Sequence, residues 1–432
     1  MNGDIPGRLN ANLQDRLNNA VRNRLSNQQS QAVLELRGRI NERRLAKAVR
    51  LLLDAEPILG CRFIEEKHRP YWQRFDDLED REWFSMEKTP DRRKAVYGFL
   101  TMPLDGEQQV KVKLIRSAPN DTLCVKISHA CCDGGGLKAY QHMLADIYTR
   151  LSRDGSYALE RRAGGRTDQN HILCKVGMAN IINNWRSGQN ALQPTWSFPS
   201  GAGESGGPRV SVRRLSGPRL KALSTYAKER GATLNDLFLT AFYRTLFEMA
   251  GSRPGTPREI LVTVDLRRYL GDGDENAVNN LTGAVSARIA PVPGESFVET
   301  LSRVAAATAE MKSKLPGIQM AFFLGFLSLL NYTQTLGFVR GLKKRLVQTG
   351  KCSPILSNVG FISRSTIWFG KTPVVDAYQV SPAIYPPGFM LGVCTYNNRL
   401  TFTVSYCEPG TPREKVERFL DTLLKELESC GD

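Results

Sequence analysis

Ser128-His129-Ala130-Cys131-Cys132-Asp133-Gly134-Gly135-Gly136 is the stretch that decides how this chain is read. Just upstream, Thr122-Leu123-Cys124-Val125-Lys126-Ile127 alternates apolar and polar residues around a β-branched core, which predicts a half-buried strand ending at His129. Downstream, Leu137, Tyr140, Leu144, Ile147, Tyr148 and Leu151 recur at three- and four-residue steps, which predicts a helix after the glycines. His129 therefore belongs to a strand-to-helix turn. An imidazole titrating near neutrality can take a proton from an alcohol, amine or thiol and return it to a leaving group. Asp133, across the turn, suits a structural role, accepting backbone N–H groups or pairing with an arginine from elsewhere. The glycines admit positive φ and close approach of the backbone to a substrate. Cys131 and Cys132 raise a competing Cys-His nucleophile, but residues this close in sequence seldom face each other as catalytic partners do.

Composition bounds the alternatives. At 432 residues, 41% apolar and 24% charged, the chain has material for two cores and is too apolar for disorder. Nine cysteines without a C-x-x-C pair argue against a disulfide framework or a zinc site, so no metal is expected and a reducing compartment fits. The first eight residues carry no apolar signal core, which makes a cytoplasmic location the expectation. The basic excess, 59 Lys and Arg against 43 Asp and Glu, calls for an acidic partner. Without a nucleic-acid-binding signature, nucleic acid is not expected, and an anionic membrane, an anionic cofactor and an acidic carrier protein stay open.

The chain divides in two near residue 200. Val33-Leu34-Glu35-Leu36 leads through Gly38 into an apolar-periodic helix, and Val210-Ser211-Val212-Arg213 leads through Gly217-Pro218 into another. Residues 161–208, rich in Gly, Ser, Asn and Pro, read as a crossover linker between a half spanning 1–200 and a half spanning 201–432. Thr233 caps a helix that is apolar on nearly every face from Leu234 to Leu246. Leu315 to Val339 carries no charge; its Pro, Gly, Asn and Gln content disfavours a membrane span, and buried helices lining a pocket are predicted. Contact with a membrane surface, aided by Arg340, Lys343, Lys344 and Arg345, is a secondary option.

The H-x-x-x-D-G at His129, Asp133 and Gly134 resembles the signature of the chloramphenicol acetyltransferase-like acyltransferases. That superfamily includes nonribosomal-peptide condensation domains, alcohol acetyltransferases and polyketide-associated acyltransferases. Leu51 to Phe63, Gly231 to Asp236, Val264-Asp265-Leu266-Arg267, Asn279 to Gly283 and Ser357-Asn358-Val359-Gly360 resemble further landmarks in the usual order. Ser128 stands where condensation domains and wax-ester synthases carry a second histidine, and the plant-type D-F-G-W-G is absent. The resemblance is therefore nearest the free-standing alcohol acetyltransferase or polyketide-associated branch. It implies an α/β fold of two related domains, with mixed sheets, flanking helices and an active-site tunnel between them. It also implies acyl transfer from acyl-coenzyme A or a phosphopantetheine thioester on an acidic carrier to a small alcohol or amine, with no permanently bound cofactor. His129 is the expected general base, and Gly134, Gly135, Gly136, Ser357 and Asn358 are the candidates around the oxyanion. Asp133 is expected to fix the loop against Arg267 or Arg62. The alternatives are a condensation-type amide-forming enzyme and a non-catalytic acyl-chain-binding homologue.

Overall fold

The computed structural model describes residues 5–104, 107–158, 167–187, 194–201, 205–251, 254–271 and 277–430. Its first part contains β1 (Arg8–Asn10), α1 (Leu13–Val21), β2 (Gln29–Leu36), α2 (Glu42–Ala55), β3 (Cys61–Ile64), β4 (Tyr71–Arg74), β5 (Phe84–Lys88), α3 (Arg92–Thr101), β6 (Val110–Ser117), β7 (Asn120–Ser128) and α4 (Gly134–Arg153). Two helices, α5 (Gln169–Val176) and α6 (Met178–Ser187), follow. Then come β8 (Ser205–Leu215), α7 (Gly217–Glu229), α8 (Leu234–Ala250), β9 (Arg258–Asp265), β10 (Thr282–Ile289), α9 (Phe297–Ser313), α10 (Ile318–Leu327) and α11 (Tyr332–Thr349). The chain closes with β11 (Ile355–Phe361), β12 (Trp368–Phe369), β13 (Thr372–Val380), β14 (Met390–Tyr396), β15 (Arg399–Pro409) and α12 (Arg413–Glu428).

These elements form two mixed six-stranded sheets, in the orders β12-β13-β2-β7-β6-β5 and β10-β9-β11-β14-β15-β8, and a small sheet β1-β4-β3. Each large sheet is backed by helices whose apolar stripes fill a separate core. Val49 and Leu52 of α2 and Leu137 and Leu144 of α4 pack against Val33, Leu123 and Val125 of the first sheet. Leu237, Phe238 and Phe242 of α8 and Phe419 of α12 pack against Leu391, Phe402 and Val404 of the second. The periodic residues of α4 and the all-round apolar α8 are buried as their patterns predict. Thr233 and Asp236 close α8 with a reciprocal capping box.

Division of the chain at residue 200 is not a division of the sheets. β12 and β13 come from the second half yet join the first sheet, with Ala377 opposite Leu34 and Val380 opposite Gln31. The stretch 161–208 differs from the linker expected. Residues 161–166, 188–193 and 202–204 lie outside the described residues, but the remainder includes α5, α6 and the start of β8. Its few apolar residues explain why: Ile172 and Ile181 are buried against Ile318 and Ala321 of α10. Asp168 caps α5 through the Asn170 and His171 N–H groups.

The uncharged stretch from Leu315 to Val339 forms α10 and the start of α11. It is not buried throughout: Ile318 and Ala321 face inward, whereas Phe323, Phe326 and Leu329 are exposed. Apolar composition gives no direction to its own faces, and the neighbouring elements cover only one. Among the described residues, no helix is long and apolar enough to cross a membrane.

Candidate active site

The ladder of β2 and β7 pairs Gln29 with Ser128, and one further bond carries it to His129, whose N–H donates to the Gln28 carbonyl at 2.7 Å. Gln28 adopts φ +49°, a left-handed conformation uncommon for a residue with a side chain. The His129 carbonyl is held by two amides from distant segments: Asn18 Nδ2 donates at 3.1 Å and Asn280 Nδ2 at 3.0 Å. Asn280 Nδ2 also donates to the Ala130 carbonyl at 3.1 Å. The loop bearing the histidine is thus tied to α1, to β2 and to the segment before β10. Ser128, where a second histidine would stand, is buried, and its Oγ accepts the Ala130 N–H.

Asp133 caps α4. Its Oδ1 accepts the Gly136 N–H at 2.8 Å, and its Oδ2 accepts the Leu281 N–H at 2.7 Å and the Thr282 hydroxyl at 2.8 Å. The Arg267 guanidinium grips both oxygens, Nη2 to Oδ1 at 3.0 Å and Nη1 to Oδ2 at 3.1 Å. Arg267 also donates to the Asn279 side chain at 2.6 Å and to Asp265 at 3.1 Å. Burial pushes the Asp133 carboxyl up, but the Arg267 charge and the converging donors outweigh it and hold it down at about 2. Burial likewise works against the Arg267 cation, and Asp133 and Asp265 more than restore it. Arg62 takes no part; it pairs with Glu107 at 3.9 Å on the surface.

This network explains the glycines differently from the expectation. None of Gly134, Gly135 and Gly136 has a positive φ; all three begin α4. A Cβ on Gly135 would lie 2.8 Å from the Arg267 guanidinium carbon, and one on Gly136 would lie 2.8 Å from the Asn279 carbonyl oxygen. The close approach is to the protein's own clamp. Because Asp133 takes the Gly136 N–H, that group is not free to bind an oxyanion. The first-turn N–H groups of Gly134 and Gly135 have no i−4 carbonyl within the helix.

His129 opens onto a cavity of about 320 Å3 between the two halves. Its walls come from both large sheets and the turn: Ser30, Gly134 and Gly135 on one side, Thr263, Ser357 and Asn358 on the other. Ser357 Oγ lies 3.5 Å from Thr263 Oγ1, and the Asn358 amide is engaged with Asn235 and the Gly360 N–H. Burial lowers the His129 pKa below 6.5, against the opposing pull of Asp133 and of its own backbone. The imidazole is therefore neutral at pH 7, with Nδ1 buried and without a hydrogen-bond partner of ordinary geometry. Cys131 and Cys132 are fully buried and neither lines the cavity, which leaves no geometry for a thiol nucleophile beside His129.

Several site residues escaped sequence reasoning. Asn18 and Gln28 are distant in sequence and carry no motif. Asn279 and Asn280 came to notice only within a family landmark, without a role assigned to either. Lys138 lines the cavity and donates through Nζ to the Val359 carbonyl; burial lowers its pKa. A signal existed for it, since Lys138 shares a face of α4 with Gly134 and the buried Gln141.

Comparison with known proteins agrees with this geometry. The family model of the condensation domain matches residues 21–314, and that of the WS/DGAT C-terminal domain matches residues 280–430. No curated protein matches the sequence. Among solved structures, the first condensation domain of the CDA synthetase superposes with a TM-score of 0.69 at 16% identity, covering 98% of this chain and 96% of that one. TRI3 trichothecene 15-O-acetyltransferase from Fusarium sporotrichioides gives 0.73 at 12% identity over 100% and 97%, and polyketide synthase associated protein 5 from Mycobacterium tuberculosis gives 0.65 at 15% over 98% of each chain. At these identities the likeness carries the fold alone. The two matching models describe the branches that Ser128 was read against, so a missing second histidine does not remove a chain from them. With most of its length matched by the first of those models, and with the two-sheet fold of the chloramphenicol acetyltransferase-like superfamily, the chain belongs to the condensation-domain family.

Proposed function

We propose that the protein is an acyltransferase that moves an acyl group from a thioester donor, acyl-coenzyme A or an acyl-carrier protein, to an acceptor hydroxyl, with His129 as general base. Membership of the condensation-domain family supports acyl transfer as the general reaction. The observation that carries the assignment is a neutral, half-buried imidazole opening onto a cavity between two halves, on a loop anchored from three directions.

In this reading the acceptor O–H gives its proton to His129 as its oxygen attacks the thioester carbonyl. The tetrahedral intermediate then collapses, the C–S bond breaks, and His129 returns the proton to the departing thiolate. The oxyanion needs donors; we assign the Gly134 and Gly135 N–H groups and the Ser357 hydroxyl, and exclude the Gly136 N–H because Asp133 holds it. Asp133 and Arg267 are positioning residues: they fix α4 and the loop against the second half. The donor is a co-substrate that leaves after each turnover, and the excess of basic residues suits the phosphates of coenzyme A or the surface of an acidic carrier.

The condensation-domain match favours one second reading, amide formation on carrier-bound substrates. Both are tested together. Wild type and His129→Ala are incubated with acetyl- to palmitoyl-thioesters, on coenzyme A and on a carrier protein, with pooled alcohols and amines, and products are read by mass spectrometry. Esters formed only by wild type support the proposal; amides formed only from the carrier support the second reading. Full activity in His129→Ala overturns the role of the histidine. No product from any donor favours a non-catalytic acyl-chain-binding homologue.

A further inference from the structure

From α10 to the strand that completes the first sheet, the chain has an unusual charge balance. Between Glu310 and Asp376 there is no Asp or Glu, and nine of the Lys and Arg residues lie there. Four of them, Arg340, Lys343, Lys344 and Arg345, are exposed on α11, and none forms an ion pair among the described residues. Ahead of them in the chain, Phe323 and Phe326 (53% exposed) of α10 and Leu329 (82% exposed) just after it form an apolar row at three-residue steps. Helix α6, packed against α10, adds Met178 and Ile182, both exposed. Met320, one helical turn before Phe323, lines the cavity of His129.

We propose that the α10–α11 face docks on the surface of an anionic lipid bilayer. An apolar row flanked by unpaired cations is the combination that settles at the boundary of headgroups and acyl chains. The rings and Leu329 enter the apolar layer while the cations of α11 meet lipid phosphates. A second copy meeting the same face would set the basic residues of one α11 against those of the other. A nucleic acid would leave the apolar row uncovered. The inference concerns binding and holds whether or not His129 transfers acyl groups.

The test is co-sedimentation with phosphatidylcholine vesicles, with and without phosphatidylglycerol. Binding to the anionic vesicles, at least tenfold stronger than to neutral ones and lost at high salt, is expected. The pair Phe326→Ser with Leu329→Ser, and separately Lys343→Glu with Lys344→Glu, should each weaken it about tenfold or more while thermal melting and esterification of water-soluble acceptors stay as in wild type. Absence of binding to anionic vesicles overturns the proposal, as does binding that both double variants retain. A wild-type dimer by light scattering that Phe326→Ser with Leu329→Ser dissolves, with no vesicle binding, assigns the face to a second copy instead.

Discussion

Replacing Asp133 tests the clamp that holds the candidate active site together. Its carboxylate accepts three hydrogen bonds from Gly136, Leu281 and Thr282 besides the two from Arg267, so Asp133→Ala removes an N-cap and strands a buried guanidinium. Breaking a buried ion pair from one side costs about 3–5 kcal/mol, and losing a cap about 1 kcal/mol, with overlap between the two. The charge component follows independently from the carboxyl. Holding it at about 2 against an ordinary 3.8 corresponds to roughly 2–3 kcal/mol at neutral pH. Asp265, also on Arg267 at 3.1 Å but half exposed, softens the loss without replacing it. Asp133→Asn keeps an oxygen for the Gly136 N–H and should lose mainly that charge component. Urea unfolding of wild type, Asp133→Asn, Arg267→Met and the double variant should give a coupling of about 2 kcal/mol or more. The pH dependence has a definite sign. The folded carboxyl titrates below the unfolded one, so its contribution is complete above pH 3.8 and disappears as pH falls toward 2; Asp133→Asn should lack that acid slope. Additive single losses, or an Asp133→Ala protein that melts like wild type, would refute the clamp.

Four further outcomes follow from the same geometry. Because burial depresses the His129 pKa, the acid limb of kcat/KM should have its midpoint below pH 6.5 and the rate should be flat above neutrality; a midpoint at or above 6.5 contradicts a buried neutral base. Gly135→Ala, whose Cβ runs into the Arg267 guanidinium, should destabilise by about 1–3 kcal/mol in urea unfolding, and an unchanged midpoint would show that Arg267 yields freely. Asn280→Ala frees the carbonyls of His129 and Ala130 and should lower kcat about tenfold or more with KM little changed, the signature of a displaced base. Lys126, enclosed by Phe99 and the Phe99 and Met102 carbonyls, is pushed down to about 7 by burial, so the unfolded chain binds its proton more readily from pH 7 to 10. Wild-type stability should therefore rise across that range, and Lys126→Met should flatten the rise; identical slopes would refute it.

What could be read in the sequence is what short-range periodicity encodes. β7 forms where expected but is buried on both faces, Thr122, Cys124 and Lys126 included, and not half-buried as its alternation suggested. The three- and four-residue steps of α4 and the Thr233–Asp236 capping box depend only on neighbours along the chain and appear in the structure. His129, Asp133 and the glycines came to notice for the same reason. The clamp around them did not, because Asn18, Gln28, Asn280 and Arg267 reach the turn from four separate segments. Arg267 came forward within a family landmark, and the argument that a buried carboxylate needs a cation preferred it to Arg62, which the fold places elsewhere, beside Glu107. Strand β13 was hidden for a related reason: alternation marks a strand but does not say which sheet receives it, and pairing with β2 carries the second half of the chain into the first sheet. Composition misled most between residues 167 and 187 and along α10. In the first, a few apolar residues among Gly and Asn were enough to form helices once α10 offered them a surface. In the second, a row without charge was read as interior, although hydrophobic residues can just as well face outward where something apolar is to be met. That outward row lies in the stretch from which the sequence has kept every carboxylate, so the exposed apolar residues of α10 and the exposed cations of α11, separately ambiguous, acquire a single physical meaning only when they are taken together.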